Sequence, residues 1–214
     1  HRDENPAGAS AAKDSTGNGY DASFNGGLDE TDEAESPLGG GVLLEDDQYL
    51  APAGPDLKGL RDGLQFEAWF RTGSDGIIAS WDRNEQFRME VGGDRNQGDL
   101  GTSYQYDNSS TDDDLNDTST NATDNNWHHS VFRYDQGDAK QVTDGAVQSD
   151  RSQGSEIGTN TSRYGFFGSG SEATSANGSK GPTNWWNGGL DEARLATQAL
   201  SMAQVKASYE NQAN

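Results

Sequence analysis

Alternation with a period of two is the strongest pattern along this chain. Over Gly63–Thr72, Leu64, Phe66, Ala68 and Phe70 alternate with Gln65, Glu67, Trp69 and Arg71, the spacing of a strand that turns one face to a core. Shorter apolar runs predict strands at 42–44, 48–50, 77–81, 86–91, 100–106, 127–134, 164–168 and 185–195, and 140–146 reads as a hairpin on the turn Asp144-Gly145. The pattern changes only near the end. Ser201 is suited to cap a short helix, Gln204 to close a capping box, and Leu200 and Val205 are spaced as a hydrophobic staple. Many short strands between turn residues, with no internal repeat or boundary, predict one domain over 1–214: an all-β, two-sheet antiparallel sandwich with a short C-terminal helix.

The polar stretches are expected as loops. They are the acidic run 28–35, the glycine-punctuated loop 14–19 and the Asp/Asn/Ser/Thr tract 107–126, where Asp112, Asp113 and Asp114 read as a solvated charge run. Apolar residues make up only 30% of the chain, yet aromatics reach 9% and there are 28 glycines. That balance favours a turn-rich fold over disorder.

The net charge is −21, with 12 Glu, 24 Asp, 10 Arg and 5 Lys. A surface this acidic excludes nucleic acid as a generic partner, which needs a basic patch. Lysine scarcity beside so many carboxylates suits molar salt, where the Debye length falls to about 3 Å and self-repulsion fades; a halophilic source is the expectation. There is no cysteine and no apolar run long enough to insert into a membrane. The start at His1 reads as a mature product or excised domain. Asn-x-Ser/Thr sequons at Asn108, Asn116, Asn121, Asn160 and Asn177 permit glycosylation without arguing for it.

The ordered motifs carry a family resemblance. His1-Arg-Asp-Glu-Asn-Pro, Asp14-Ser-Thr-Gly-Asn-Gly, Phe66-Glu-Ala-Trp-Phe, Trp127-His-His, Asp144-Gly, Arg163-Tyr-Gly-Phe-Phe-Gly and Gly189-Leu-Asp-Glu-Ala-Arg-Leu together resemble laminin-G-like, concanavalin A-like jelly-roll domains of microbial surface proteins. The resemblance implies two antiparallel sheets, an extracellular or cell-surface location, a glycan or cell-surface protein as partner, and often calcium. It also marks departures. Ser130 stands where the family has an apolar residue, and Gln141-Val-Thr143 where it has an apolar-aromatic-apolar run, so a thinner core is expected.

Catalytic chemistry is sparse. Neither His-Glu-x-x-His, a Gly-x-Ser-x-Gly elbow nor a phosphate loop occurs. Neighbouring His128 and His129 point to opposite faces of a strand, one expected buried and one exposed, so they cannot share a metal. Glycoside hydrolysis needs two suitably separated carboxylates, for which Glu67, Glu90 and Glu192 are the strand candidates, but the compact acid-x-x-acid signature is missing.

For calcium, Asp191 stands out. On a regular strand it shares the apolar face of Ala193 and Leu195, where a carboxylate needs a hydrogen-bonding partner or a cation. Asp14 and Asn18 on the 14–19 loop would complete such a site with backbone carbonyls. For a ligand, Tyr104 and Tyr106 form one aromatic pair. Of Trp185 and Trp186, Trp186 matches the family's buried aromatic and leaves Trp185 outward. The reading is therefore a non-catalytic adhesion or carbohydrate-recognition module. A structural subunit of a surface filament, appendage or virion is the alternative.

Overall fold

A computed structural model describes residues 11–28, 32–178 and 184–213. The opening segment 1–6 used in the resemblance, and part of the 28–35 run, lie outside the described residues. In chain order the elements are β1 (Ala11–Ala12), β2 (Ala22–Asn25), β3 (Glu33–Ser36), β4 (Gly39–Leu44), β5 (Tyr49–Pro52), β6 (Gly63–Thr72), β7 (Gly76–Ser80), β8 (Phe87–Val91), β9 (Leu100–Gln105), β10 (Asp112–Asp117), β11 (His128–Asp135), β12 (Asp138–Thr143), β13 (Ala146–Ser152), β14 (Phe166–Phe167), β15 (Gly188–Ala196) and α1 (Met202–Gln212).

They form two antiparallel sheets, ordered β1-β2-β5-β14-β7-β8-β9-β10 and β13-β12-β11-β6-β15-β4-β3. The two-sheet sandwich expected from the alternation is present, in the jelly-roll form that the family resemblance implies. Its core lies between the sheets, where rings meet across the gap: Phe66 and Phe87 at 5.7 Å, Phe87 and Phe132 at 5.7 Å, Tyr104 and Phe132 at 5.4 Å. Each such buried ring contributes roughly 1.5–3 kcal/mol over an exposed one.

The polar substitutions in the core are organised. Ser130, Gln141 and Thr102 are fully buried or nearly so. Thr102 Oγ1 donates to Gln141 Oε1 at 2.9 Å, Gln141 Nε2 donates to Ser130 Oγ at 2.8 Å, and Ser130 Oγ donates to Met89 Sδ at 3.3 Å. This chain satisfies groups that would otherwise be stranded in an apolar interior.

Three expectations are corrected. First, β6 is buried on both faces, because α1 packs over its outer side. Val205 meets Val131 and Val142, Tyr209 stacks on Trp69 at 5.9 Å, and Trp69 Nε1 donates to Gln212 Oε1 at 2.7 Å. The capping box of Ser201 and Gln204 forms, while Leu200 stays exposed at 38% rather than acting as a staple.

Second, the tract 107–126 is not all loop. Asp112–Asp117 pairs with β9 along its length, and arginines neutralise its carboxylates: Arg83 for Asp112, Arg151 for Asp113 and Arg95 for Asp114. Within the acidic run, Glu33–Ser36 is likewise a strand, paired with β4.

Third, β15 carries a bulge. Asp191 pairs with Trp69 but Arg194 with Glu67, leaving an extra residue at Glu192, φ +49°. Directly opposed residues share a face. Asp191 therefore lies on the side of Trp69, while Leu195, opposite Phe66, keeps the core side.

Candidate functional site

A polar cleft opens where the ends of three strands come together. The end of β6 supplies Arg71, Thr72 and Gly73; the turn after β4 supplies Glu45 and Asp46; the start of β15 supplies Gly188 and Gly189; and Asn125 and Asn187 come from adjoining loops. The cavity measures about 620 Å³. Local bonds explain its shape. Thr72 Oγ1 donates to the Asn187 carbonyl at 2.7 Å, Asn125 N–H donates to the Thr72 carbonyl at 3.0 Å, and Asn187 Nδ2 donates to Asp46 Oδ1 at 2.9 Å.

Trp127 flanks this cleft. Its Nε1 donates to the Glu35 carbonyl at 3.0 Å, and the Arg71 guanidinium lies over its ring, 5.2 Å from the centroid. Gly189 makes room for the indole, since a Cβ there would fall 2.6 Å from it. Amides, a carboxylate and a guanidinium beside an indole are the donor and acceptor set that holds a polar ligand in a cleft.

Asp46 also borders a second cavity of about 390 Å³, with Asp75, Glu90, Asn184 and Trp185. Glu90 is 1% exposed. Its Oε1 takes Arg95 Nη1 at 2.7 Å and Arg88 Nη2 at 2.9 Å. Of the other strand glutamates, Glu67 accepts from Arg194 Nη1 at 3.0 Å and Glu192 is paired with the same arginine.

The predicted ligand residues separate. Tyr104 is 0% exposed and stacks in the core, so it cannot serve as a surface platform. Its phenol is pushed to high pKa by burial. Tyr106 is partly buried against the same core, 6.2 Å from Tyr104. Trp186 is fully buried, edge-on to Phe70. Trp185 is half-buried beside Tyr49 at 6.1 Å and faces the second cavity. Trp127 and Arg71 were overlooked because each sat inside a strand pattern; the signal was an arginine and an indole at the ends of two strands that pair.

The predicted metal residues line adjoining cavities. Asp14 and Asn18 border one of about 750 Å³, Asp191 a smaller one, and Ala12 and Ala193 are common to both. Asp14 accepts from Thr16 N–H, Thr16 Oγ1 and Tyr20 N–H at 2.8, 2.6 and 3.1 Å. The Thr16 hydroxyl bond leads in lowering its pKa. Asp191 accepts from Ser36 Oγ at 2.5 Å and Glu192 N–H at 2.7 Å, while burial raises its pKa. Among the described residues, no three His, Cys, Asp or Glu side chains gather as a metal-binding group.

The two histidines are both buried, at 9% and 1% exposure, correcting the expectation that one would be exposed. They do face opposite ways. His128 packs on Phe70 and bonds Asp144 and Asp124 at 2.8 and 3.2 Å, which raises its pKa, the Asp144 bond foremost. His129 packs against both Trp69 and Tyr209, at 5.2 and 6.0 Å, and burial lowers it to about 4.

Comparison with known proteins gives the same fold. A laminin G family model described as the concanavalin A-like lectin/glucanases superfamily matches residues 44–206. No curated protein matches the chain by sequence. Domain 4 of AbnA, a GH43 extracellular arabinanase from Geobacillus stearothermophilus, solved with arabinotriose, is similar at 19% identity and a TM-score of 0.65, covering 95% of this chain and 93% of that one. A structure of botulinum neurotoxin type C, whose cell entry depends on two ganglioside molecules, is similar at 13% identity and a TM-score of 0.61, covering 94% of this chain and 50% of that one. A heptameric SAP-like pentraxin from Limulus polyphemus follows at 17% identity and a TM-score of 0.51, covering 72% and 73%. Among the described residues no helix is long and apolar enough to cross a membrane.

Proposed function

The chain belongs to the concanavalin A-like lectin/glucanases superfamily, and on that footing we propose that it is a non-catalytic carbohydrate-recognition module of a secreted or cell-surface protein. The observation that carries this reading is the cleft lined by Arg71, Asn125, Asn187 and Asp46, with Trp127 at its flank beneath the Arg71 guanidinium. A saccharide presents hydroxyls to the amides and carboxylate and an apolar ring face to the indole. The arabinotriose held by the AbnA domain and the gangliosides of the neurotoxin support a saccharide as the ligand class.

The reading extends to salt and calcium. A net charge of −21 with few lysines supports a source rich in salt. A structural calcium would be held by Asp14, Asn18, loop carbonyls and Asp191, whose cavities adjoin. Calcium seeks six to eight oxygens, so it would replace the Thr16 and Ser36 donors that those carboxylates now accept.

The test is a glycan array probed with the purified domain in molar salt, with calcium and with chelator. Saturable binding to a defined sugar, abolished by Trp127→Ala, is the expected result. A blank array from folded protein would end the lectin reading and favour a structural unit of a surface assembly.

A further inference from the structure

Arg71 is unusual among the cations of this chain. The sequence has 36 acidic residues against 15 basic ones, so cations are outnumbered and usually claimed. Arg88, Arg95, Arg133, Arg163 and Arg194 each hold a carboxylate, and Arg61 donates to the carbonyls of Leu57 and Lys58. Among the described residues, Arg71 is the one arginine whose guanidinium meets neither a carboxylate nor a carbonyl. It lies half-buried over Trp127, on the wall of the cleft formed by the ends of β6 and β4 and the start of β15.

We propose that the saccharide taken by this cleft is acidic, and that Arg71 pairs with its carboxylate or sulfate while a sugar ring packs beside Trp127. The inference rests on the carbohydrate reading above and narrows it. A guanidinium offers five N–H donors in a planar fork that matches a carboxylate or sulfate with two parallel bonds. Such charge-assisted pairs are about twice as strong as bonds to neutral hydroxyls. The indole beneath holds the guanidinium in place, so little side-chain freedom is lost on binding. Asn125 and Asn187 remain for hydroxyls. Glu45 and Asp46, on the same cleft, disfavour a second anionic group there. The cleft therefore suits a sugar with one negative group at Arg71 rather than a densely charged polyanion.

The acidic surface repels anions at a distance. Molar salt, with a Debye length of about 3 Å, removes that repulsion while leaving contact pairs in place. The experiment is calorimetric titration in about 1 M NaCl with matched probes: oligogalacturonates and their methyl esters, and sulfated galactan oligosaccharides and their desulfated forms. The parent protein is expected to bind the charged member of at least one pair about tenfold more tightly than its uncharged partner. The pair that responds tells carboxylate from sulfate. Arg71→Gln should erase the preference, and Arg71→Lys, which keeps the charge without the fork, should retain part of it. Melting curves confirm that each variant is folded. Equal binding of charged and uncharged members, or a preference that survives Arg71→Gln, overturns the acidic ligand while leaving a lectin. No saccharide bound by folded protein overturns both.

Discussion

Thr102 of one sheet donates a hydrogen bond to Gln141 of the other at 2.9 Å, joining the two layers through the interior of the sandwich. The amide continues the chain to Ser130 and Met89, so the Thr102 and Ser130 hydroxyls and the Gln141 amide group each have an acceptor. Gln141→Leu strands the Thr102 hydroxyl and should cost about 1–3 kcal/mol. Adding Thr102→Val removes the stranded donor and should restore a good part of that loss. Denaturant titration of the singles and the double decides it; additive losses would show that the bond is not the unit of stability.

In the cleft, Trp127→Ala should weaken saccharide binding about tenfold or more. Gly189→Ala should act in the same direction without touching a polar group, because its Cβ would fall 2.6 Å from the indole and displace it. Titration of both variants with the array hit checks this. Unchanged affinity in the two would move the site elsewhere, the Trp185 cavity being the next to test.

The adjacent histidines should give opposite pH limbs. His129 titrates at about 4 when folded, below its unfolded value of about 6.5. Its contribution is complete above the unfolded value and is lost as pH falls towards 4, about 3 kcal/mol in all. His128 is raised, so its contribution is present below about 6.5 and fades as pH rises through the folded value. Melting curves from acid to mildly alkaline pH should show His129→Gln flattening the acid limb and His128→Gln the alkaline one. Acid limbs that coincide for parent and His129→Gln would contradict the burial argument.

Salt should stabilise the protein. With a net charge of −21, raising NaCl from about 0.1 M to 1 M shortens the Debye length from about 10 Å to 3 Å and damps self-repulsion. The melting temperature should climb across that range. A flat or falling curve would remove salt adaptation from the proposed function.

Calcium should raise the melting temperature, as any ligand selective for the folded state does, and chelator should reverse it. Asp191→Asn should abolish the response. Equal calcium responses in parent and variant would detach Asp191 from the ion and leave it as the acceptor of Ser36 and Glu192.

Some elements were legible because their signal is local. The alternation from Leu64 to Phe70 and the capping residues Ser201 and Gln204 act over a few neighbours, and both features stand where expected. β10 was not legible. Nothing in Asp112–Asp117 favours a strand except its pairing with β9 and the arginines that neutralise it. The position of Asp191 was misread for a related reason. Alternation assumes a regular strand, and the bulge at Glu192 breaks the count.

The pattern of apolar positions thus determined an all-β sandwich with a capped terminal helix, because backbone periodicity and turn chemistry are written within short windows. Composition determined the acidic surface. Only the tertiary structure decided which aromatics are available. It buried Tyr104 and Trp186 and set Trp127 beside Arg71, residues 56 positions apart that meet because β6 lies between β11 and β15. Exposure and convergence depend on which strands pair and what covers them, and those are long-range contacts that no local window contains.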